Sequence, residues 1–311
     1  MKPKPFSLDN KRYTTFNADL RRRFGEKVLR IPLNTGLSCP NRDGTCGIGG
    51  CSFCNAQGSG EFAGNPLDDL MTQYTQGKAM MQRKWPDAHK TIAYFQAYTN
   101  TYAPLKTLQG FFEPFMAMED VVALAIATRV DALDEEIITY LETLNRRKPI
   151  FLELGLQSIH DVTAKHMNRG HSTAQFLAMI ERLQSTGLLV VIHIMNGYPT
   201  ETKAMMIETA HAVAKLHPYG VKIHMLNVLK NTALGRQYQR SLFDLMDQNE
   251  YENLVIHQLQ LLPADIVILR LTGDGEEGEV LAPDWVSNKT SVLNGIDKKM
   301  ARWGVSQGDL A

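Results

Sequence analysis

The sequence predicts an α/β chain folded as a parallel barrel or partial barrel. Three observations predict it. Apolar runs alternate with amphipathic stretches along most of the 311 residues. The apolar runs are nearly continuous, as strands covered on both faces must be, rather than alternating with polar residues. Six or seven strand–helix units fit between residues 27 and 271, an order that lays strands parallel with helices packed outside them. In such folds chemistry sits at the carboxyl ends of the strands.

The elements follow in order. "KVLRIPL" (27–33) reads as the first strand and leads into a cysteine-rich loop. Residues 66–84 read as a helix, "TIAYFQ" (91–96) as a strand and "VVALAIAT" (121–128) as the next. "EEIITYLETLNRR" (135–147) is helical, with Ile137, Leu141 and Leu144 on one face. "PIFLELGL" (149–156) is a strand, and "TAQFLAMIERLQSTG" (173–187) a helix ended by Gly187. A strand at 188–195, a helix at 201–216, a strand at 220–226, a helix at 247–261 and the strand "DIVILRL" (265–271) complete the pattern. Residues 275–311 are less periodic and read as an extension packed on the barrel.

The chain carries 33 basic and 33 acidic residues, so its formal net charge is zero. Global charge therefore says nothing about a polyanionic partner. Residues 1–30 are nevertheless +6. That basic segment suits RNA phosphates, and equally a solvated face. No apolar run is long enough for a membrane span, and the start lacks the apolar core of a signal peptide. A cytoplasmic protein is the expectation, and clustered cysteines there are more often metal ligands or redox groups than disulfides.

All four cysteines, Cys39, Cys46, Cys51 and Cys54, fall in "CPNRDGTCGIGGCSFC" (39–54). Thiolates suit zinc or iron–sulfur clusters. Four could close a tetrahedral zinc site, which would make this a zinc-stabilised RNA-binding protein without catalysis. Three could instead hold a [4Fe-4S] cluster with one iron open. Structural zinc sites built from four cysteines usually have two CxxC knuckles; this loop has only Cys51-x-x-Cys54. Its glycines let the backbone wrap a cluster closely, and Phe53 can shield it. The spacing favours the cluster and leaves zinc, or thiols without metal, as alternatives.

The loop resembles the three-cysteine loop of the radical SAM superfamily, with a longer first gap than the usual CxxxCxxC. The long gap is similar to that of the Elongator catalytic subunit, which modifies the tRNA wobble uridine. The E-x-G-x-Q-S, N-R-G-H and H-I-M-x-G-x-P elements of residues 152–202 strengthen the likeness. It covers roughly residues 27–235, and with "RLTGD" (270–274) the whole chain looks like the YhcC/YtqA type of bacterial radical SAM protein. The resemblance implies a partial (β/α)6 TIM-like barrel at 27–235, a basic N-terminal arm at 1–26 and a C-terminal extension at 236–311. A helix and a strand of that extension would complete the barrel edge. No acetyltransferase segment follows, so only the radical half of the Elongator chemistry is expected.

The resemblance further implies that Cys39, Cys51 and Cys54 ligate three irons and that S-adenosylmethionine (SAM) binds the fourth. Reductive cleavage of SAM would then give a 5′-deoxyadenosyl radical, with a donor such as flavodoxin or ferredoxin supplying the electron. Gln157, Arg169, Glu153 and His193 match positions that hold SAM, Arg169 at a place suited to its carboxylate. "QAYTNTY" (96–102) replaces the usual GGE-type turn, so Gln96 or Thr99 would serve there. Where the Elongator subunit has E-T-R-P-D, this chain has Ala127-Thr128-Arg129-Val130-Asp131. Candidate substrate contacts are Tyr98, Asn100, Tyr102, Lys230, Arg270, Thr272 and Asp274, with Trp285 expected to pack the extension. The substrate expected is a tRNA wobble uridine or another nucleic acid; a small metabolite or a protein is the alternative.

Overall fold

Seven parallel strands curl in chain order into an open half-barrel. The computed structural model describes residues 9–58, 60, 63–241, 243–273, 275 and 278–311. The strands are β1 (Val28–Leu33), β2 (Lys90–Phe95), β3 (Val121–Thr128), β4 (Ile150–Gln157), β5 (Leu189–Asn196) and β6 (Gly220–Met225). After β6 the short β7 (Val228–Leu229) leaves the sheet, β8 (Val267–Arg270) pairs with β6 as the seventh strand, and β9 (Val280–Ala282) pairs antiparallel with β7. The continuous apolar strand runs therefore mark a sheet covered on both faces.

Ten helices are described: α1 (Phe16–Phe24), α2 (Leu70–Lys84), α3 (Leu105–Met116), α4 (Glu135–Asn145), α5 (Asp161–His166), α6 (Thr173–Leu183), α7 (Lys203–Leu216), α8 (Ala233–Gln239), α9 (Gln248–Leu261) and α10 (Lys289–Trp303). Helix α2 starts four residues later than its pattern predicts because the Asp69 side chain accepts from the Met71 and Thr72 N–H groups and caps it there. Helices α1, α3, α5, α8 and α10 are additions to the predicted elements. In α1, Phe16, Leu20 and Phe24 recur at helical spacing, which the arginine run Arg21–Arg23 obscures. Thr15 caps its start and Gly25 its end. In α10, Val292, Ile296 and Met300 form a buried stripe.

The core has two compartments. Outward-facing strand residues such as Leu29, Ile31, Leu124, Leu152 and Ile192 pack against the helices. Inward-facing Val28, Ile92, Ala123, Ala125, Phe151 and Val267 form an apolar layer at the base of the barrel, which Phe16 and Leu20 of α1 close. Phe16 meets Phe151 edge-on at 5.3 Å between ring centroids. Above this layer the inward positions become polar and charged, and there the site begins. Among the described residues no helix is long and apolar enough to cross a membrane.

Candidate active site

The cysteine loop lies over the carboxyl ends of the strands, and later motifs hold it down. Asn168 of the N-R-G-H element donates from Nδ2 to the carbonyls of Gly50 (2.8 Å) and Ile48 (3.2 Å). Asn41 donates to the Asn168 carbonyl, and the Ser52 N–H donates to the Met167 carbonyl at 2.8 Å. Tyr198 of the G-Y-P turn shares a 2.9 Å hydrogen bond with Ser52 Oγ. Two glycines make the wrap possible: Gly50 adopts φ +80°, and a Cβ at Gly47 would fall 2.0 Å from Asn41 Oδ1. Asn41, Ser52, Asn168 and Tyr198 are positioning residues that the sequence reading did not single out, although all four sit inside its motifs.

Three of the four sulfurs open onto one cavity of about 220 Å³, lined by Cys39, Cys51 and Cys54 but not by Cys46. Cys46 is exposed, with Sγ 3.4 Å from Asp131 Oδ2 and 3.7 Å from Arg129 Nη2. Burial, then the neighbouring Cys54 thiolate, pushes the Cys51 thiol up to about 12. A metal must therefore displace a proton to bind there. Arg129, ion-paired to Asp131 at 2.6 Å, lines the same cavity and supplies positive charge beside the thiols.

Gln96, Tyr98, Thr99, Glu153, Gln157, His193 and Arg270 all line this cavity. Gln157 and Tyr98 hold left-handed backbone, φ +59° and +56°. That conformation is costly for residues with a Cβ and clusters at functional sites. Thr99 Oγ1 and His224 Nε2 are buried without a hydrogen-bond partner among the described residues, and both groups line the cavity. Unpaired buried polar atoms are expensive, so a ligand that pairs with them stabilises the site. The three thiols and the two unpaired polar groups fit a cluster with a polar cofactor beside it.

Beneath lies a buried charged network. Register sets His193 beside Lys222 and Lys222 beside Arg270. The fully buried Glu153 carboxylate accepts from Arg30 Nη2 (2.8 Å), Tyr94 OH (2.9 Å) and His193 Nε2 (3.2 Å), and it ion-pairs with Lys222. Burial alone would favour its neutral form; Lys222, then Arg30 and His193, hold it well below the usual carboxylate range. Burial, then the Lys222 charge, pushes His193 down to about 4, so the imidazole is neutral near pH 7. Tyr94, Lys222, His224 and Arg30 were not anticipated. Their signal was strand position: inward-facing polar residues in otherwise apolar strands.

Other anticipated contacts stand elsewhere. Arg169 is buried and donates to the carbonyls of Leu156 (2.6 Å), Ser158 (2.7 Å) and His171 (3.0 Å) and to Thr173 Oγ1 (3.1 Å). This correction makes it a clamp for the chain after β4, with its fork committed to protein acceptors. Asn100 likewise bonds within the protein, to Thr35 and to the Ala97 and Ala127 carbonyls. Tyr102 reaches Thr45 Oγ1 at 2.6 Å on the outer side of the loop. Lys230 is exposed in the turn after β7. Thr272 lines a groove at the open edge of the barrel. Trp285 packs on Tyr251 and donates to the Met246 carbonyl, as expected of a packing residue. Asp274 lies outside the described residues.

The model of the radical SAM superfamily matches residues 44–213, and that of the Radical_SAM C-terminal domain matches residues 218–302. This chain belongs to the radical SAM superfamily. Its enzymatic nature follows, and the non-catalytic zinc alternative falls. It is 45% identical to the uncharacterized protein YtqA of Bacillus subtilis over 306 residues, 98% of this chain and 95% of that one. It is 28% identical over 156 residues to a tRNA uridine(34) acetyltransferase of Methanocaldococcus infernus, 49% of this chain but 29% of that protein. Among solved structures, the archaeal Elp3 of Methanocaldococcus infernus shares the fold, with a TM-score of 0.65 at 18% identity over 90% of this chain and 64% of that one.

Proposed function

We propose that this radical SAM enzyme holds a [4Fe-4S] cluster on Cys39, Cys51 and Cys54, binds SAM in the adjoining cavity and modifies the side chain of a tRNA wobble uridine. The observation that carries the cofactor half is the segregation of the thiols: three line one cavity while Cys46 faces Asp131 outside it. The tRNA half rests on the likeness to a tRNA uridine(34) acetyltransferase and on the basic first thirty residues. A bound cluster would supply the electron that breaks the C5′–S bond of the SAM sulfonium, and the chemistry so supplied would be hydrogen-atom abstraction from the substrate.

The residues of the chain bind, orient and exclude water. Gln96, Thr99 and Gln157 offer polar atoms to the cofactor from the ends of β2 and β4. Arg129 lines the cavity with its Nε and Nη2 already paired to the Asp131 carboxylate, so it brings positive charge beside the thiols rather than an open fork. Phe53 covers the cavity from the loop and keeps water from a reactive centre. Glu153 fixes the orientations of His193 and Lys222 at the cavity floor and stays ionised itself. Arg270, with Tyr98 at the rim, is the substrate contact that this reading retains. A small reducing protein such as flavodoxin or ferredoxin would deliver the electron.

Mass spectrometry of tRNA nucleosides from cells with and without the gene tests the substrate. A changed wobble-uridine profile supports the reading; an unchanged profile across growth conditions, alongside intact SAM cleavage in vitro, contradicts it.

A further inference from the structure

The sheet stays open between its first and last strands, and a groove of about 410 Å³ occupies the gap. Its walls come from α1, α2, β1, β8 and α10, and its charged and aromatic lining includes Lys27, Arg30, Trp85, Arg270 and Lys289. Arg270 also lines the cavity described above, and Arg30 holds Glu153 at that cavity's floor. The groove therefore runs from the surface to the residues that wall the reaction chamber.

Its outer lip combines cations with an aromatic ring. Trp85 is 39% exposed. The Lys27 ammonium sits 4.0 Å from its ring centroid and that of Lys84 5.9 Å away. Burial, then the like charges of Arg21 and Lys84, press the Lys27 pKa below its ordinary value. Asp19 pairs with both Arg22 and Arg23 of the same run and offsets one of their two charges. Crowding like charges destabilises the chain by itself, and a polyanion reverses the sign of that contribution. An exposed indole among phosphate-binding cations is the combination that stacks a base while tracking a backbone.

We propose that this groove docks a strand of RNA at its lip, with phosphates on Lys27 and on the neighbouring Arg21 and Lys84 and a base on Trp85, along the barrel wall that also carries Arg30 and Arg270. The proposal rests on the reading that the substrate is tRNA. The test is fluorescence anisotropy of a labelled anticodon stem-loop RNA with the cluster-loaded protein, titrated anaerobically at several salt concentrations. Replacing Arg21, Lys27 and Lys84 together by Glu is expected to weaken binding at least about tenfold and to lower the salt slope by about 2, near 0.7 for each single-strand contact. Trp85→Ala is expected to weaken binding roughly fivefold or more with the slope retained. Lys215→Glu, exposed on α7, is the charge control and should leave affinity unchanged. Circular dichroism and iron content matching wild type establish that each variant is folded. Wild-type binding with undiminished binding by the triple and Trp85 variants overturns the groove and leaves the tRNA reading standing. An equal loss in Lys215→Glu also overturns it. Absence of RNA binding by the wild type overturns both.

Discussion

Replacing Glu153 by Gln should destabilise the protein in a pH-dependent way. The carboxylate is fully buried and is the anion for two buried cations, Arg30 and Lys222. Glutamine keeps the shape, but its amide N–H₂ meets donors from Lys222, Tyr94 and His193. Burial already pushes Lys222 down to about 7, against the pull of Glu153 and with the help of Arg30 and Arg270. Without the carboxylate it falls further, so near pH 8 the variant holds a neutral amine and loses about 1–3 kcal/mol through imperfect pairing. At pH 5.5 protonating that amine costs the folded variant more than the wild type, whose carboxylate pairs with it, and the loss grows to about 3–5 kcal/mol. The sign follows from linkage. Lys222 in the variant binds its proton less readily when folded than when unfolded, so folding stability rises with pH from the folded value upward. Wild-type Glu153, whose folded pKa is depressed, contributes stability above the ordinary glutamate range and loses it as pH falls through the folded value. At roughly 2 °C per kcal/mol for a chain of this size, the melting temperature should drop by about 6–10 °C at pH 5.5 and visibly less at pH 8. Anaerobic thermal melts followed by far-ultraviolet circular dichroism measure it. A variant within 2 °C of wild type at both pH values would refute the placement of a charged hub at the chamber floor.

Arg169→Lys should cost about 2–3 kcal/mol of stability, because one ammonium cannot serve four acceptors set by a planar fork, while SAM affinity measured by equilibrium dialysis stays near wild type. Gln157→Gly should leave stability within about 1 kcal/mol, since relief of the left-handed backbone offsets the added chain entropy, but should weaken SAM binding roughly fivefold to tenfold through a lost hydrogen bond. Phe16→Ala should cost about 3–5 kcal/mol by opening the base of the barrel, read as a lower melting temperature with the number of bound irons unchanged in the folded fraction.

The sequence disclosed the alternating strands and helices because periodicity is a local property, and the seven strands need only local apolar runs to be recognised. It disclosed the cysteine loop because ligand spacing is also local. Helix α1 was hidden because Arg21, Arg22 and Arg23 dominate its composition, while its apolar stripe is only Phe16, Leu20 and the half-buried Phe24. The bonds that Arg169, in the loop after α5, and Asn100, beyond the end of β2, make within the protein were hidden for a different reason. A polar residue near the strand ends can face the cavity or bond to neighbouring backbone, and only the surrounding acceptors decide which. The network of Arg30, Tyr94, Glu153, His193 and Lys222 joins five strands, so no window of sequence contains it. Arg129 stood in a motif that drew notice for the carboxylate it lacks rather than for the guanidinium it keeps.

The most direct test of the account is electron paramagnetic resonance of the reduced, anaerobically reconstituted protein, with and without SAM, in wild type, Cys51→Ala and Cys46→Ala. The account predicts a [4Fe-4S] signal that SAM reshapes in wild type and Cys46→Ala alike, and its loss in Cys51→Ala. A signal indifferent to SAM, or one that disappears when Cys46 is removed, would contradict it.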